Sequence, residues 1–581
     1  MKPSDKQIKN KPSLFGLLKE YKLSIFSLVI LTIIGNALNL AVPKIMSASI
    51  DSFARGNFIL STMVTEFLIV SISIFIFTYL QSIVQTYASE RVARDLRTQL
   101  IAKISVQDYA YIQRANPSKL LTNLTSDVDA VKSFVSQAIA SIISSVFLII
   151  GASILLLLIN WKLALAVLVT LPVIATAFFV ILKKVRKLFK KSQEAVDWLN
   201  KVINESILGA ALIRLLNSQQ YEYQKFLAAN EEAKNIGLSI LKLFASLIPV
   251  IVFITNLSTL IILTLGGHYI INGAMTLGDF AAFNSYLAIL IFPILVIGFM
   301  SNVIAQATAS YQRISEVLNA EHRKDVGHIV KKLHGDIEVK NITVSFGEKH
   351  ALKDVSFSAK AGTKTAIIGP TAAGKTQLLY LLTGLLAPTS GVVKYDGKPI
   401  DEYNKISLHE QVGFVFQDSI IFNLTLRENI AFSNTVKDKD LELAIETAEL
   451  SDFIDTLPNK LDTIVSERGT SLSGGQKQRI MLARALTLNP KVLLLDDFTS
   501  RVDTKTEQKV LKNVQKNYPG ITLISVTQKI SSIELYDQII VLMEGEVLAI
   551  GTHKELMENS PEYVQIFNSQ QSTNNYELHT K

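Results

Sequence analysis

The most informative stretch of this 581-residue sequence is a glycine-rich segment that ends in lysine and threonine. It reads Gly369, Pro370, Thr371, Ala372, Ala373, Gly374, Lys375 and Thr376, which fits the pattern G-x-x-x-x-G-K-[ST]. A β-rich run precedes it and a helical run follows, so backbone N–H groups at the helix start can cradle phosphates. Lys375 can place a positive charge at the β and γ phosphates, and the Thr376 hydroxyl can hold Mg²⁺. The segment therefore predicts a nucleotide site, with a purely structural glycine turn as the alternative.

A carboxylate follows a second apolar run about 120 residues later. Asp496 comes directly after Leu493–Leu495, which predicts a buried strand that ends in an acid. Such an acid can bind the same Mg²⁺ directly or through water. Asp496 is thus predicted to be a metal-site acid, and a helix cap is the alternative.

A third segment places two glycines at the start of a predicted helix. It contains Ser473, Gly474, Gly475 and Gln476. Exposed N–H groups and the Ser473 hydroxyl could bind an anion there. Since the phosphate loop already takes one nucleotide, the expected anion is the γ-phosphate of a nucleotide held by another copy. This predicts a dimer with ATP between its halves.

The composition places these motifs next to a membrane. Hydrophobic residues make up 49% of the chain and charged residues 19%, whereas soluble proteins have about 25% charged residues. Six apolar runs have about the 20 residues that a membrane-spanning helix needs. They are residues 23–42, 67–84, 138–159, 163–182, 243–265 and 280–304. A wholly cytosolic enzyme is excluded, and the absence of cysteine excludes disulfides and thiolate chemistry.

The basic residues predict the orientation of the chain. Six lysines lie in residues 1–22, seven Lys or Arg in 88–132 and eleven in 183–242, which marks these segments as cytosolic. Both termini are therefore predicted to be cytosolic, and the net charge of +8 is assigned to the lipid surface and not to nucleic acid. The two long cytosolic segments are predicted to be helices that reverse near 123–129 and 206–214.

The predicted fold is an all-α six-helix transmembrane domain with long cytosolic helical extensions, followed by an α/β P-loop nucleotide-binding domain. The predicted boundaries are a cytosolic tail at 1–22, the transmembrane domain at 23–320, the nucleotide-binding domain at 335–568 and a disordered tail at 569–581. Alternating short β-rich and helical runs after Gly335 indicate a parallel sheet.

From residue 15 to 568 the chain resembles the half-transporters among the ATP-binding cassette exporters, on the phosphate loop, Asp496 and the LSGGQ segment at residues 472–476, which is the signature of that family. The resemblance implies ATP and Mg²⁺, a second half-transporter and a multi-pass location in the cell membrane. It also implies that Gln417 belongs to the metal and catalytic site and that Phe346 stacks on adenine, unless Phe346 is a core strand residue. Residues 204–209 and the stretch near Asp127 and Asp129 resemble segments that dock on the nucleotide domains.

Two departures from the family pattern fall at the hydrolytic centre. Asp497 stands where a glutamate usually acts as the general base, and Gln528 stands where a histidine usually forms the switch. The shorter side chain withdraws the carboxylate by about 1.5 Å, and a misplacement of about 1 Å can cost about 10²-fold in rate. Glutamine can donate to the γ-phosphate but cannot carry the imidazole's proton. Ala372 and Arg501 also depart from the pattern, as milder changes.

The sequence thus predicts ATP-dependent efflux of hydrophobic or amphipathic compounds by the impaired-site subunit of a heterodimer. The alternatives are a slow homodimeric exporter, a lipid or peptide exporter, and an ATP-gated membrane channel or sensor.

Overall fold

The structure is a computed structural model that describes residues 14–321, 327–433, 435–466, 469 and 471–579. The chain divides into two compact units. The first comprises the chain up to Val106 and Ala115–Glu321, and the second comprises Gln107–Arg114 and the chain from His322 onward. Most of the predicted N-terminal tail, residues 1–13, lies outside the described residues.

Helices build the first unit. They are α1 (Leu14–Leu17), α2 (Lys22–Ala54), α3 (Leu60–Ser105), α4 (Tyr109–Ala115), α5 (Pro117–Thr122), α6 (Val128–Ser133), α7 (Ile139–Ile159), α8 (Trp161–Leu168), α9 (Thr170–Leu208), α10 (Ala210–Leu215), α11 (Gln219–Ile261), α12 (Gly267–Ile271) and α13 (Leu277–Leu318), with α4 falling mostly in the second unit. Short 3-10 and π segments join several of them, such as the π segment Asn123–Asp127.

Six of the resulting helical stretches are long and apolar enough to cross a membrane, which confirms the six predicted spans. They are 37 to 53 residues long, well beyond the roughly 20 residues that the hydrocarbon core requires. Their most apolar windows are only 0% to 22% buried inside the protein. Apolar surface on that scale needs lipid or further protein around it.

One predicted chain reversal is wrong and the other is confirmed. Residues 123–129 are helical, and Asp127 is 2% exposed and accepts hydrogen bonds from Arg313 and Ser310 of α13. The first reversal lies at residues 106–116, where Asn116 takes a positive φ of 63° before Pro117. Asp127 is thus buried and forms an ion pair with Arg313 inside the first unit. The second reversal, at residues 209–218, agrees with the prediction.

The second unit is α/β, as predicted. Its strands are β1 (Ile337–Phe346), β2 (Lys349–Ala359), β3 (Lys364–Ile368), β4 (Ser390–Tyr395), β5 (Lys398–Pro399), β6 (Val412–Val415), β7 (Val492–Asp496), β8 (Thr522–Val526), β9 (Gln538–Met543) and β10 (Glu546–Gly551). Its helices are α14 (Lys375–Leu382), α15 (Lys405–His409), α16 (Leu426–Ala431), α17 (Asp438–Thr447), α18 (Ser451–Asp455), α19 (Gly474–Leu486), α20 (Thr504–Asn517), α21 (His553–Asn559) and α22 (Pro561–His579).

The strands form two sheets. An antiparallel sheet has the order β2-β1-β4-β5, and a six-stranded sheet has the order β10-β9-β3-β8-β7-β6. In the larger sheet β9, β3, β8, β7 and β6 run parallel, and only the edge strand β10 is antiparallel. The carboxyl ends of β3, β8 and β7 therefore lie side by side in the sheet. Ligands of open parallel sheets bind at such an edge.

The ends of the second unit differ from the predicted boundaries. The backbone N–H groups of His328 and Ile329 already donate to Glu402 O, before the predicted start at residue 335. Residues 569–579, predicted to be disordered, continue helix α22. The sequence after Pro561 holds neither glycine nor proline up to the end of that helix, so no residue there breaks the helix.

Candidate functional site

One cavity of about 410 Å³ opens at the carboxyl ends of β3, β7 and β8. Its lining is Phe346, Ala351, Thr371, Ala372, Ala373, Gly374, Lys375, Thr376, Gln377, Gln417, Asp496, Asp497, Val526 and Gln528. Segments far apart in sequence are thereby brought together, and all lining residues except Ala351, Gln377 and Val526 were selected above as site residues. Gly369 and Pro370 lie just behind the lining and contact Lys375.

The phosphate loop turns sharply between β3 and α14. Gly369 and Gly374 have φ values of 151° and 96°. A Cβ on Gly369 would lie 1.9 Å from Leu542 O, and one on Gly374 would lie 2.5 Å from Ala351 O. Only glycine fits at these two positions, because any side chain would clash with those carbonyl oxygens. Ala372 also takes a left-handed φ of 66°, where an L side chain costs about 1–2 kcal/mol, so the alanine is tolerated at a price in local stability.

Lys375 is held inside the loop that precedes it. Its ammonium donates to Gly369 O at 2.8 Å and to Pro370 O at 2.7 Å. Burial lowers the pKa of Lys375, and the nearby carboxylates of Asp497 and Asp496 oppose that shift. The result is a buried cation whose contacts are neutral carbonyls, and which a phosphate would stabilise far better.

Asp496 ends β7 at the base of the cavity and fits a magnesium site. Thr376 Oγ1 donates to Asp496 Oδ1 at 3.3 Å, while Asp496 Oδ2 is buried with no hydrogen-bond partner among the described residues. Burial raises the pKa of Asp496 to about 6. Such an unsatisfied oxygen is costly unless a ligand completes it. The described residues contain no cluster of three His, Cys, Asp or Glu, so a cation here would take further oxygens from phosphates, as Mg²⁺ does.

Asp497 and Gln528 line the same cavity from the ends of neighbouring strands. Asp497 has a left-handed φ of 50°, and its N–H donates to Val526 O at 3.0 Å, which ties the end of β7 to the end of β8. Burial raises the pKa of Asp497, while Lys375, Lys529 and Arg501 act in the other direction. The backbone that carries this short carboxylate is therefore tied to the end of β8.

Phe346 and Gln417 complete the cavity at its rim. Phe346 is 51% exposed at the end of β1, so it is not a core residue of that strand and its ring is free to stack on a base. Gln417 lies in the loop after β6, and its backbone oxygen accepts from Gln478 Nε2 at 3.2 Å. Both residues line the cavity, and their roles in stacking on adenine and in the metal and catalytic site stay predictions.

The segment Ser473–Gln476 does not line this cavity. Ser473 caps helix α19 through a capping box, in which Gln476 N donates to Ser473 Oγ at 3.2 Å and Ser473 N donates to Gln476 Oε1 at 2.8 Å. A Cβ on Gly474 would lie 3.3 Å from Arg501 Cδ, and one on Gly475 would lie 2.9 Å from Arg501 O. The glycines thus leave room for the loop around Arg501, and the start of α19 is not part of the lining of the chain's own cavity.

The sequence analysis missed Gln570, which contacts the backbone of the switch segment, residues 528–530. Gln570 of α22 donates from Nε2 to Gln528 O at 2.5 Å and accepts from Ile530 N at 3.0 Å. This bidentate contact fixes the backbone on both sides of Lys529. Because residue 570 was assigned to a disordered tail, only the absence of helix breakers after Pro561 could have indicated it.

Gln570→Ala is expected to shorten the lifetime of bound MgATP several-fold while changing its association little. Each lost hydrogen bond is worth about 0.5–1.5 kcal/mol, and the residue touches the switch backbone and not the phosphate loop. Release of fluorescent ATP from the purified full-length protein measures this lifetime. Gln571→Ala, at the exposed neighbouring glutamine, is the matched control, and equal lifetimes for both variants would refute a positioning role.

Two family models match the chain. The model for the ABC transporter transmembrane region matches residues 25–294, and the model for the ABC transporter proper matches residues 352–500. The first match covers spans one to six in part, and the second begins before the phosphate loop and ends at Ser500.

Full-length relatives agree with these matches. An uncharacterized ABC transporter ATP-binding protein of Bacillus subtilis is 33% identical over 96% of this chain and 98% of its own length. A probable multidrug resistance ABC transporter protein of the same organism is 30% identical over 95% and 96%, and an ATP-dependent lipid A-core flippase of Syntrophus aciditrophicus is 29% identical over 84% and 82%. A solved bacterial Atm1-family ABC exporter with ATP bound has the same fold, with a TM-score of 0.78, 23% identity and coverage of 94% and 98%.

Proposed function

The chain belongs to the ABC transporter family and is an ATP-driven, multi-pass membrane exporter subunit, and we propose that it supplies the impaired nucleotide site of a heterodimer. In this proposal a second half-transporter carries the competent catalytic residues. The cargo is a hydrophobic or amphipathic compound, in keeping with the multidrug-type relative. Both termini and the nucleotide domain lie in the cytosol.

The observation that carries the proposal is the make-up of one cavity. Lys375, Thr376 and Asp496, the residues expected to hold MgATP, line this cavity together with Asp497 and Gln528, which lack the reach of glutamate and the proton of histidine. Binding residues are therefore present and the residues for rapid cleavage are altered. Thr376, Gln417 and Asp496 would hold Mg²⁺, and the bound ion would neutralise part of the phosphate charge.

The position of the signature segment, residues 472–476, also supports the proposal. Ser473 and the N–H groups at the start of α19 lie outside the cavity of their own chain. Backbone N–H groups at a helix start suit a phosphate, and here they would bind it once the capping contacts between Ser473 and Gln476 rearrange. We assign that phosphate to the nucleotide of the partner, so that the intact signature of this chain completes the partner's competent site.

Closure of two such sites on ATP would drive the transport step. The segment 107–114 belongs to the second unit, where Tyr109 packs edge-on against Tyr380 with ring centroids 5.3 Å apart. In sequence, this segment connects α3 to α5. It replaces the stretch near Asp127 as the coupling segment, so movement of the nucleotide domain would pass to spans two and three.

The proposal is tested by reconstituting the chain with candidate sister chains in vesicles. Amphipathic compounds should stimulate ATP hydrolysis and should accumulate on the side away from the nucleotide domains. Stimulation without movement of any compound would favour an ATP-gated sensor. Export of phospholipid alone would favour the second candidate function, a lipid exporter. The similarity to an ATP-dependent lipid A-core flippase supports that candidate.

Ser473→Ala is expected to lower hydrolysis at the partner's site about tenfold while ATP stays bound in the cavity of this chain. A lost hydrogen bond to a charged group is worth about 1.5–3 kcal/mol. Thr552→Ala is the matched control, because Thr552 forms another capping box in the same unit, with Glu555. Photo-crosslinking of the nucleotide to either chain allows the ADP formed at each site to be quantified. Equal loss of activity at both sites would contradict the arrangement in trans.

A further inference from the structure

A second cavity opens at the surface of the first unit, between spans three, four and six, where Phe179 is 66% exposed and Lys183 and Arg186 are exposed. Its volume is about 630 Å³, and its walls come from α7, α9 and α13. The lining consists of Ile149, Leu171, Pro172, Ala175, Phe178, Phe179, Leu182, Lys183, Arg186, Ile294, Ile297, Gly298 and Ser301. The volume falls in the range of about 300–1,000 Å³ that is typical of small-molecule sites.

The polar groups of this cavity are gathered at one end. From Leu171 to Leu182 the wall formed by α9 is apolar over about 16 Å, at 1.5 Å of rise per residue. Lys183 and Arg186 follow directly on the same face of that helix. Ser301 is the remaining polar side chain of the lining, and its hydroxyl donates to Ile297 O at 3.0 Å within its own helix. The cavity thus has an apolar body and a cationic end.

The apolar body is shaped by a close approach of α9 to α13. A Cβ on Gly298 would lie 1.9 Å from the Phe178 ring, so only glycine lets the ring pack there. Phe178 is 3% exposed and meets Phe299 edge-on at 5.4 Å. This part of the wall is therefore packed and defined.

The two cations are left without an acidic partner. Among the described residues, no carboxylate forms an ion pair with Lys183 or Arg186. Like charges three residues apart on a helix repel each other. An anion that touches both would relieve that repulsion, and the planar guanidinium of arginine suits the paired oxygens of carboxylate, sulfonate or phosphate.

We propose that this cavity binds an amphiphile with one apolar chain and one anionic headgroup, which lies between Lys183 and Arg186. The inference rests on the proposed exporter function and names the class of its cargo. Basic residues are generally attracted to lipid headgroups, but this does not explain why Lys183 and Arg186 line the cavity. Lys184 and Lys187 of the same helix carry equal charge at the same depth and do not line it.

The test uses a photoactivatable dodecyl sulfonate and the matching dodecanol on the full-length protein in phosphatidylcholine nanodiscs, without ATP. Labelled residues are identified by mass spectrometry. We expect the sulfonate to label the cavity walls at least fivefold more than the alcohol. Lys183→Gln with Arg186→Gln should reduce sulfonate labelling to the level of the alcohol, while Lys184→Gln with Lys187→Gln should leave it unchanged.

Equal labelling by both probes, or equal loss in both double variants, would overturn the proposal. Replacing part of the phosphatidylcholine by phosphatidylglycerol identifies the source of the anion. Competition assigns the site to bilayer lipid, and its absence assigns it to single-chain amphiphiles, the class being anionic in both cases. Because labelling needs no ATP, a failure here is separate from a failure of ATP-driven transport.

Discussion

Replacing Lys375 by alanine is expected to weaken ATP binding at this chain's cavity by about 10- to 100-fold. Within the described part of the chain, the buried ammonium donates its hydrogen bonds to the carbonyls of Gly369 and Pro370. Its charge-assisted hydrogen bonds to phosphate are worth about 1.5–3 kcal/mol, and every 1.4 kcal/mol is about tenfold in affinity. Equilibrium binding of a fluorescent ATP analogue to the purified protein measures the change.

The consequences for turnover separate the two kinds of dimer. Residual hydrolysis in a complex of Lys375→Ala with an unaltered sister chain is expected, since the competent site uses the partner's lysine. Lys398→Ala, at an exposed lysine of β5 in the same unit, serves as the control and should change neither binding nor turnover. Complete loss of hydrolysis with Lys375→Ala alone would contradict the asymmetric arrangement and favour a homodimer.

Restoring both altered residues should raise hydrolysis at this site by about 100-fold. Asp497→Glu returns the methylene, and Gln528→His returns an imidazole at the neighbouring strand end. A misplacement of about 1 Å costs about 10²-fold, and general acid–base groups contribute about 10²–10⁴-fold. Single-turnover cleavage of radiolabelled ATP at this site, with the partner's site inactivated, gives the rate directly.

The single variants decide whether both residues limit the reaction. Asp497→Glu alone is expected to recover only part of the rate, because Gln528 still cannot carry the imidazole's proton. Asp497→Asn is the control for a merely steric effect and should remove the remaining activity. Full recovery from Asp497→Glu alone would contradict the double defect.

The nucleotide site was largely predictable from the sequence because its residues come in short contiguous motifs. The phosphate loop must follow a strand and open a helix, and the structure places it between β3 and α14. Asp496 follows an apolar run, which becomes the fully buried strand β7. The six membrane spans could also be predicted from the sequence, because the bilayer sets their length and apolar character.

Features that depend on packing between residues far apart in the chain could not be predicted from the sequence. Residues 123–129 were predicted to reverse the chain, but they are helical and Asp127 pairs with Arg313, 186 positions away. Gln570 gains its role from the two backbone groups that it meets in the switch segment. Likewise, the cavity that Lys183 and Arg186 line exists only because α9 meets α13 at Gly298.

The most direct test of the account is to count the nucleotide retained by the complex of this chain with a sister half-transporter. The complex is incubated with radiolabelled MgATP through repeated turnovers, freed rapidly of unbound nucleotide and analysed for intact ATP and ADP on each chain. The account predicts one intact ATP per pair of chains, crosslinked to this chain, while ADP forms at the other site. Retention of no MgATP with any sister chain or with a second copy, or cleavage at equal rates in both sites, would contradict it.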